Sequence, residues 1–543
     1  MLCRVALSSF DMIQEFAVAA EAVRNTHWDV CVIGAGPVGL CLALNLAKAG
    51  RKVVVLEAGG QGYEASVQQL YGGSTDGDIR FAGLTEGRFR GLGGTSTQWG
   101  GQILEMDSHI FERREWIEGS GWPISKSTLA PYYQRALEFE GLGALTRDQH
   151  ELWTKRNVEQ PDLGPLLQTD LSQWCPERDM GRRHAEAIAT LPGLNVLLHA
   201  NVAAFELDAD GRRIVGAVCR NAAGEEVAVR AAAYALCVGG IETSRLLLQP
   251  LADGSEAPWT RSALVGRNFH DHLRVNVAKI TNVGTADLGQ IFNYFSVGTE
   301  RFHPKIKLAP ATQQEHGTLD VTGTIVETSD GVDNISRAFT TIKLIKSRHF
   351  DRIVPADYLH MLRHLPYLLW HKSALLRRLK PDFAPRGDLS LIVHCEQSPL
   401  TAGHIRLSEE RDRLGLFKPH VHWSLSDLET HSILTFAKAV KQTFEALGAA
   451  RVDISDDVEM RMSEWIGDSY HHLGGAKMGS SEENGVVDSD LRLFAVDNGF
   501  VCGTAVFPCS GYANPTHTAI ALAERLGDHL HDSFLSNSAK ALS

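Results

Sequence analysis

Two apolar periods divide this chain. From Trp28, WDVCVIGAGPVGLCLALNLAKAGRKVVVLEAGG reads as an apolar strand, a glycine turn, an apolar helix and a second apolar strand ending at Glu57. That pattern predicts a βαβ unit. NVLLHANVAAFELDADGRRIVGAVCR, from Asn195 to Arg220, alternates as a hairpin about Asp210 and Gly211. AAAYALCVGGIETSRLLLQ, from Ala231 to Gln249, predicts a buried strand, a Gly239-Gly240 turn and a helix. The sheet begun at Trp28 is therefore expected to be completed by segments distant in sequence. Thr281 to Trp465 mixes strand-like runs such as LSLIVHCEQ with turns and helical stretches and carries no nucleotide signal.

Composition narrows the classes. With 543 residues, 44% hydrophobic and 22% charged, the chain has the makeup of a globular protein of three to four compact units, or two larger interleaved domains. A net charge of −12 opposes adhesion to phosphate backbones, so no nucleic-acid partner is expected. The nine cysteines lack a CxxC pair and no HExxH occurs, which predicts neither a disulfide framework nor a metal site. The apolar run after Arg4 breaks at Ser8, Ser9 and Asp11, and no 18-residue apolar stretch follows. A cytoplasmic protein without a transmembrane segment is expected. One segment departs from the acidic balance: Lys343 to Arg386 has ten Lys/Arg against three Asp/Glu. It is read as a solvated helical stretch, with a surface for a membrane, a partner subunit or a polyanionic substrate as the alternatives.

The glycines carry the first chemistry. In GAGPVG, Gly34 permits a tight turn, Gly36 lets the backbone approach a pyrophosphate, and Gly39 permits close helix–strand packing. The following helix N-terminus offers unpaired N–H groups to phosphates. Glu57, 18 residues beyond Gly39, is placed to accept ribose hydroxyls and to repel a 2′-phosphate. A second cluster, RFRGLGGTSTQWGGQI, holds five glycines between Gly91 and Gly101, including Gly93 and Gly94, and offers the hydroxyls of Thr95, Ser96 and Thr97. Leu92, Trp99 and Ile103 argue for a loop laid against a large ligand rather than a flexible linker.

The C-terminal stretch makes a resemblance specific. VIGAGPVG, GLGGTSTQWGG, GRNFHDHL, HHLGGAKMG and SGYANPTHTAIALAERLGDHL occur in the order of the glucose-methanol-choline (GMC) flavin oxidoreductases, and the chain resembles that family, in particular its bacterial sugar-oxidising members. The resemblance implies an α/β fold: a Rossmann-like FAD-binding domain from 25–125, 185–275 and 470–543, interleaved with a substrate domain, 126–184 and 276–469, built on a largely antiparallel sheet with helices. It implies His471 and Asn514 as the catalytic pair, with His472 as neighbour. Alongside Gly34, Gly36, Gly39, Glu57, Gly93, Gly94, Thr95 and Ser96, it implies cofactor contacts from Val202, Gly503, Thr504, Asn514, Pro515 and Thr518. Asp271 and His272 receive no role.

The residue types suit the implied chemistry. An imidazole can accept the hydroxyl proton while a hydride leaves the alcohol carbon for flavin N5, and a carboxamide can hold the substrate oxygen. GVVDSDLRL and GFVCGTAVFP are expected to pair as strands before Pro515 opens a helix through Leu530. Gly475 stands where the family usually has Thr. Gln98 stands where some sugar oxidases carry a histidine tethered to FAD, so FAD is expected to be bound non-covalently. The expected reaction is FAD-dependent oxidation of a CH–OH group of a sugar, glycoside or polyol, with oxygen or another acceptor taking the electrons. SGWPIS, Ser120 to Ser125, with Tyr132 and Tyr133, supports the sugar assignment. Oxidation of a non-sugar alcohol, a non-redox flavoprotein lyase and a nonenzymatic partner-binding module are the alternatives.

Overall fold

Four apolar residues in a row, Val53 to Leu56, can be satisfied only where both faces of a strand are covered, and all four are fully or almost fully buried. In the computed structural model this strand lies parallel to His27–Ile33 on one side and to Leu194–Leu198 on the other. The eight-stranded sheet continues through Glu226–Leu236, Ile214–Arg220 and Asn201–Leu207, with Ile13–Glu15 at the far edge. Glu226–Leu236 serves three partners: its first half runs antiparallel to Ile214–Arg220, its second half parallel to His27–Ile33 on one side and to Gly499–Val501 on the other. The structure describes residues 13–143, 149–221, 224–284, 287–328, 388–399 and 403–535, with parts of 337–365.

The expected hairpin is present at Asn201–Leu207 and Ile214–Arg220. Its predicted start is not part of it. Leu194–Leu198 enters the parallel ladder instead, because Leu194, Val196 and Leu197 are buried against neighbouring strands on both sides. The expected strand pair near the C-terminus is reduced as well: Gly499–Val501 joins the sheet beside Tyr234, while Val487, Leu493, Arg492 and Phe500 meet only through isolated bridges. The helix Pro515–Asp528 forms as read.

A second, nine-stranded sheet is antiparallel along its main path, ordered Ala450–Ile454, Leu273–Asn282, Asp388–Cys395, Val321–Thr328, Glu300–Leu308, Leu167–Trp174 and Gln102–Ile103. Its two faces differ. Ile306, Val321, Leu391 and Val393 share an apolar core with Ile433, Phe436, Val440 and Phe444 of the helix Asp427–Ala446. A Cβ at Gly323 would lie 2.6 Å from the Phe436 ring, which is why this strand has glycine there. The opposite face carries Asp170, Ser172, His303, Lys305, Thr322 and His394. Gln102–Ile103, within the segment expected for the first domain, ends on this second sheet, and Ile13–Glu15, upstream of that segment, joins the first. Most of Lys343 to Arg386 lies outside the described residues. Among those described, no helix is long and apolar enough to cross a membrane.

Candidate active site

Two glycine turns face each other at the head of the parallel sheet. Gly34 has φ +101°, and a Cβ there would lie 2.7 Å from the Cys237 carbonyl oxygen. A Cβ on Gly94 would fall 2.7 Å from the Gly36 Cα, and Gly93 donates its N–H to the Ala35 oxygen at 2.9 Å. Side chains at these positions would close the cleft between the turns. Gly39 acts behind it: its Cβ would collide with the Gly34 oxygen at 2.0 Å, so it sets helix–strand packing as the motif requires.

The cleft is lined by Gly34, Gly36, Glu57, Gly94, Thr95, Ser96, Val202, Gly503, Thr504, Pro515, His471 and His472, among others. Glu57 is buried, and its carboxylate accepts from Ala35 N at 2.8 Å and Gly59 N at 2.9 Å. Burial pushes its pKa up while those N–H groups oppose the shift. It therefore ties the Gly34–Gly36 turn to the turn at Gly59 as well as facing the cleft.

Several of the expected contact residues have partners within the protein. Ser96 is not free to donate to a ligand: its hydroxyl donates to Gly93 O at 2.5 Å and accepts from Met180 N at 3.0 Å. Thr97 donates to Gly94 O at 3.0 Å. Thr95 alone of the three makes no side-chain hydrogen bond among the described residues. Thr518 does not line the cleft; its buried hydroxyl meets the Tyr133 hydroxyl at 2.9 Å, tying two helices together. Gly93 likewise stands behind the cleft, where a Cβ would meet Asp179. Gly475 has a packing reason: with φ +93°, its Cβ would lie 2.0 Å from Ser244 Oγ.

The structure brings His471 and Asn514 together across 43 residues of sequence. Asn514 caps the helix Pro515–Asp528, and its Nδ2 lies 3.4 Å from His471 Nε2. The other ring nitrogen, Nδ1, lies 2.9 Å from His272 Nδ1, and His272 Nε2 lies 3.0 Å from Ser510 Oγ, which donates to the Gly511 oxygen at 3.0 Å. One proton arrangement satisfies the whole chain: Asn514 donates to His471 Nε2, His471 Nδ1–H donates to His272, and His272 Nε2–H donates to Ser510. His471 Nε2 is then the acceptor. Burial, aided by the Lys305 charge, pushes His471 down to about 4, so the ring is neutral at physiological pH.

His272 was missed by sequence reasoning, as was its neighbour. Asp271, fully buried, accepts from His272 N at 2.6 Å, His471 N at 2.9 Å and Ser469 N at 3.3 Å, pinning both histidine segments. Burial and the nearby Asp468 push its pKa up. The signal was FHDHL inside GRNFHDHL, where a carboxylate and two imidazoles stand among apolar residues just before the strand Leu273–Asn282 and need partners once buried. The other flank is locked by a buried ion pair. Arg114 donates to both Glu396 oxygens at 2.7 and 2.8 Å, and Glu396 Oε1 accepts from Ser510 N and Gly511 N. Trp122 of SGWPIS supports the same loop from behind, donating to the Cys509 oxygen at 3.1 Å.

His472 faces away from this pair. Its Nε2 is 4.0 Å from Asp271 Oδ2, its ring meets Phe81 edge-on, and its backbone oxygen accepts from Thr504 Oγ1 at 2.7 Å.

With this geometry in place, comparisons with known proteins agree at both ends of the chain. A model of FAD-dependent oxidoreductases matches residues 29–261, and a model of GMC oxidoreductases matches 399–523. The chain thus resembles the GMC oxidoreductases, whose family model its C-terminal segment matches. A C-glycoside 3-oxidase of Microbacterium trichothecenolyticum is 30% identical over 27% of this chain and 28% of that protein. A 2-methyl-1,2-propanediol dehydrogenase of Mycolicibacterium austroafricanum is 23% identical over 93% of this chain and 95% of that protein. Formate oxidase shares the fold with a TM-score of 0.54 at 15% identity, covering 95% of this chain and 99% of its own. Pyridoxine 4-oxidase of Mesorbium loti gives 0.53 at 16%, over 93% and 99%.

The residues of this cleft fit FAD. The glycine turns leave an approach that any Cβ would fill, Thr95 offers an unpaired hydroxyl, and the Asn514 Oδ1 is buried without a partner. Gly34, Gly36, Gly94 and the start of the helix Pro37–Lys48 would hold the pyrophosphate, and Glu57 the adenosine side.

Proposed function

We propose that this protein oxidises a CH–OH group of a sugar, glycoside or polyol, with FAD held non-covalently and His471 as the general base. The supporting observation is the His471–Asn514 approach at 3.4 Å, with the far side of His471 tied to His272. FAD, when bound, supplies the two-electron oxidant that takes a hydride from the alcohol carbon. His471 Nε2 takes the hydroxyl proton, and His272 holds the tautomer in which that nitrogen is unprotonated. Asn514 Nδ2 donates to the substrate oxygen and orients the carbon bearing the hydrogen to be lost. The helix opened by Pro515 directs the positive end of its dipole toward the same cleft. Gln98, whose carboxamide is not a nucleophile, supports reversible cofactor attachment.

The preferred substrate class rests on the sugar-oxidase motifs and on the likeness to a C-glycoside 3-oxidase. An anaerobic panel of pyranoses, glycosides, polyols and simple alcohols tests it. Bleaching of the bound flavin by the first three classes is expected. Product formed with the flavin unchanged would make the protein a lyase, and bleaching by simple alcohols alone would remove the sugar assignment. Acid precipitation should release yellow FAD into the supernatant; colour retained in the pellet would contradict non-covalent binding.

A further inference from the structure

The strand Glu300–Leu308 carries two buried lysines two residues apart, and they are treated differently. Lys307 is paired, with its ammonium 2.6 Å from Asp107 Oδ2 and 3.5 Å from Asp170 Oδ2. Lys305 is 5% exposed and makes no hydrogen bond or ion pair among the described residues. The carboxylate opposite it in register, Asp170, is already engaged: it accepts from Tyr512 Oη at 2.5 Å, Gln149 Nε2 at 3.0 Å and Leu171 N at 2.8 Å. Burying an ammonium without a partner is costly, and a buried sheet position would ordinarily carry a neutral residue. Burial accordingly lowers Lys305 to about 8, which still leaves it largely protonated at neutral pH.

The position of Lys305 is fixed by two threads. Tyr512, bonded to the Asp170 across from it, lies two residues before Asn514 on the loop that also holds Ser510 against His272. On the sheet, Lys307 lies opposite Thr322 and Thr322 opposite His394, so Lys305 and His394 belong to one face. The Lys305 charge acts on the imidazoles of both His471 and His394. His394 also makes no side-chain hydrogen bond among the described residues. Exposed Arg274 stands opposite His394 in register, on the side open to solvent.

An unpaired ammonium and an unpaired imidazole beside the proposed base, with the nearest carboxylate occupied, make a receptor for one negative charge. We propose that Lys305 and His394 bind a carboxylate of the substrate, so that the alcohol oxidised is a hydroxy acid such as an acidic sugar or polyol acid. A monoanion matches a single buried ammonium; a phosphate dianion would bring a second charge for which Lys307, held by Asp107, is not available. This assignment rests on the reading of His471 as the base.

The FAD-loaded protein decides it. Glucuronate, gluconate and glycerate are compared with glucuronate methyl ester, glucose, sorbitol and glycerol by the rate of anaerobic flavin bleaching. The acids should exceed their neutral counterparts at least tenfold in kcat/KM, and Lys305→Met should bring that ratio close to one while Lys305→Arg retains most of it. Neutral compounds bleaching as fast as the acids in the unaltered protein overturns the carboxylate assignment and leaves His471 untouched, a comparison that does not depend on the variant folding. A preference that survives Lys305→Met overturns the role of Lys305. Bleaching by neither set refutes the redox reading and this assignment with it.

Discussion

Each of the two sheets packs an apolar core, and they do opposite things with their remaining faces. In the parallel sheet Val53 to Leu56 and Val30 to Val32 are buried on both sides, and the chemistry sits at the strand ends, in glycine turns where backbone replaces side chain. In the antiparallel sheet only one face is apolar, and the other presents Lys305, His394 and Asp170 from mid-strand. A cofactor recognised through phosphates needs backbone N–H groups at a fixed turn. A varied substrate needs interchangeable side chains. The proposed catalytic pair lies on neither sheet: His471 and Asn514 come from loops that Asp271 and the Arg114–Glu396 pair fasten in place.

If the parallel sheet acts through its turns, the largest effect should come from filling one. Gly34→Val places a Cβ 2.7 Å from the Cys237 oxygen at a φ that valine avoids, and should abolish FAD binding, read as loss of the flavin absorbance in purified protein. Normal flavin content would show that the turn is not the cofactor cradle. Next in size, Arg114→Met strands the buried Glu396 carboxylate and should cost about 3–5 kcal/mol in denaturant unfolding. An unchanged midpoint would mean the Ser510–Asn514 loop is held by other contacts.

His272→Phe should be milder, about tenfold in kcat with FAD retained, because it removes the partner that fixes the His471 tautomer but leaves the base. The pH profile sharpens the point. Since His471 is lowered to about 4, its ring accepts a proton above that value, and the acid limb of kcat/KM in the unaltered protein should fall near pH 4 rather than near 6.5. The same shift predicts that folding stability drops as pH falls below about 6.5, where the unfolded chain takes up protons that the buried ring refuses. A limb near 6.5 would show a solvated base.

The parallel half was legible because its signals are local. Glycine spacing, an apolar strand and an acidic strand end lie within 30 residues, and each is required by backbone geometry. The His471–Asn514 pair was legible only through ordered motifs. His272, Asp271 and Lys305 were not, since their roles depend on what faces them across 126 to 200 residues of chain: Gln397 beside Asp271, His471 beside His272, and Asp170 opposite Lys305. Two of the three expected hydroxyl donors are engaged for a related reason: Ser96 and Thr97 are consumed in stabilising their own turn, which leaves Thr95.

The most direct test is the anaerobic rate of flavin bleaching in His471→Ala, with FAD content confirmed, against the unaltered protein. The account predicts a fall of about 10²–10⁴-fold with FAD still bound. An undiminished rate would contradict it.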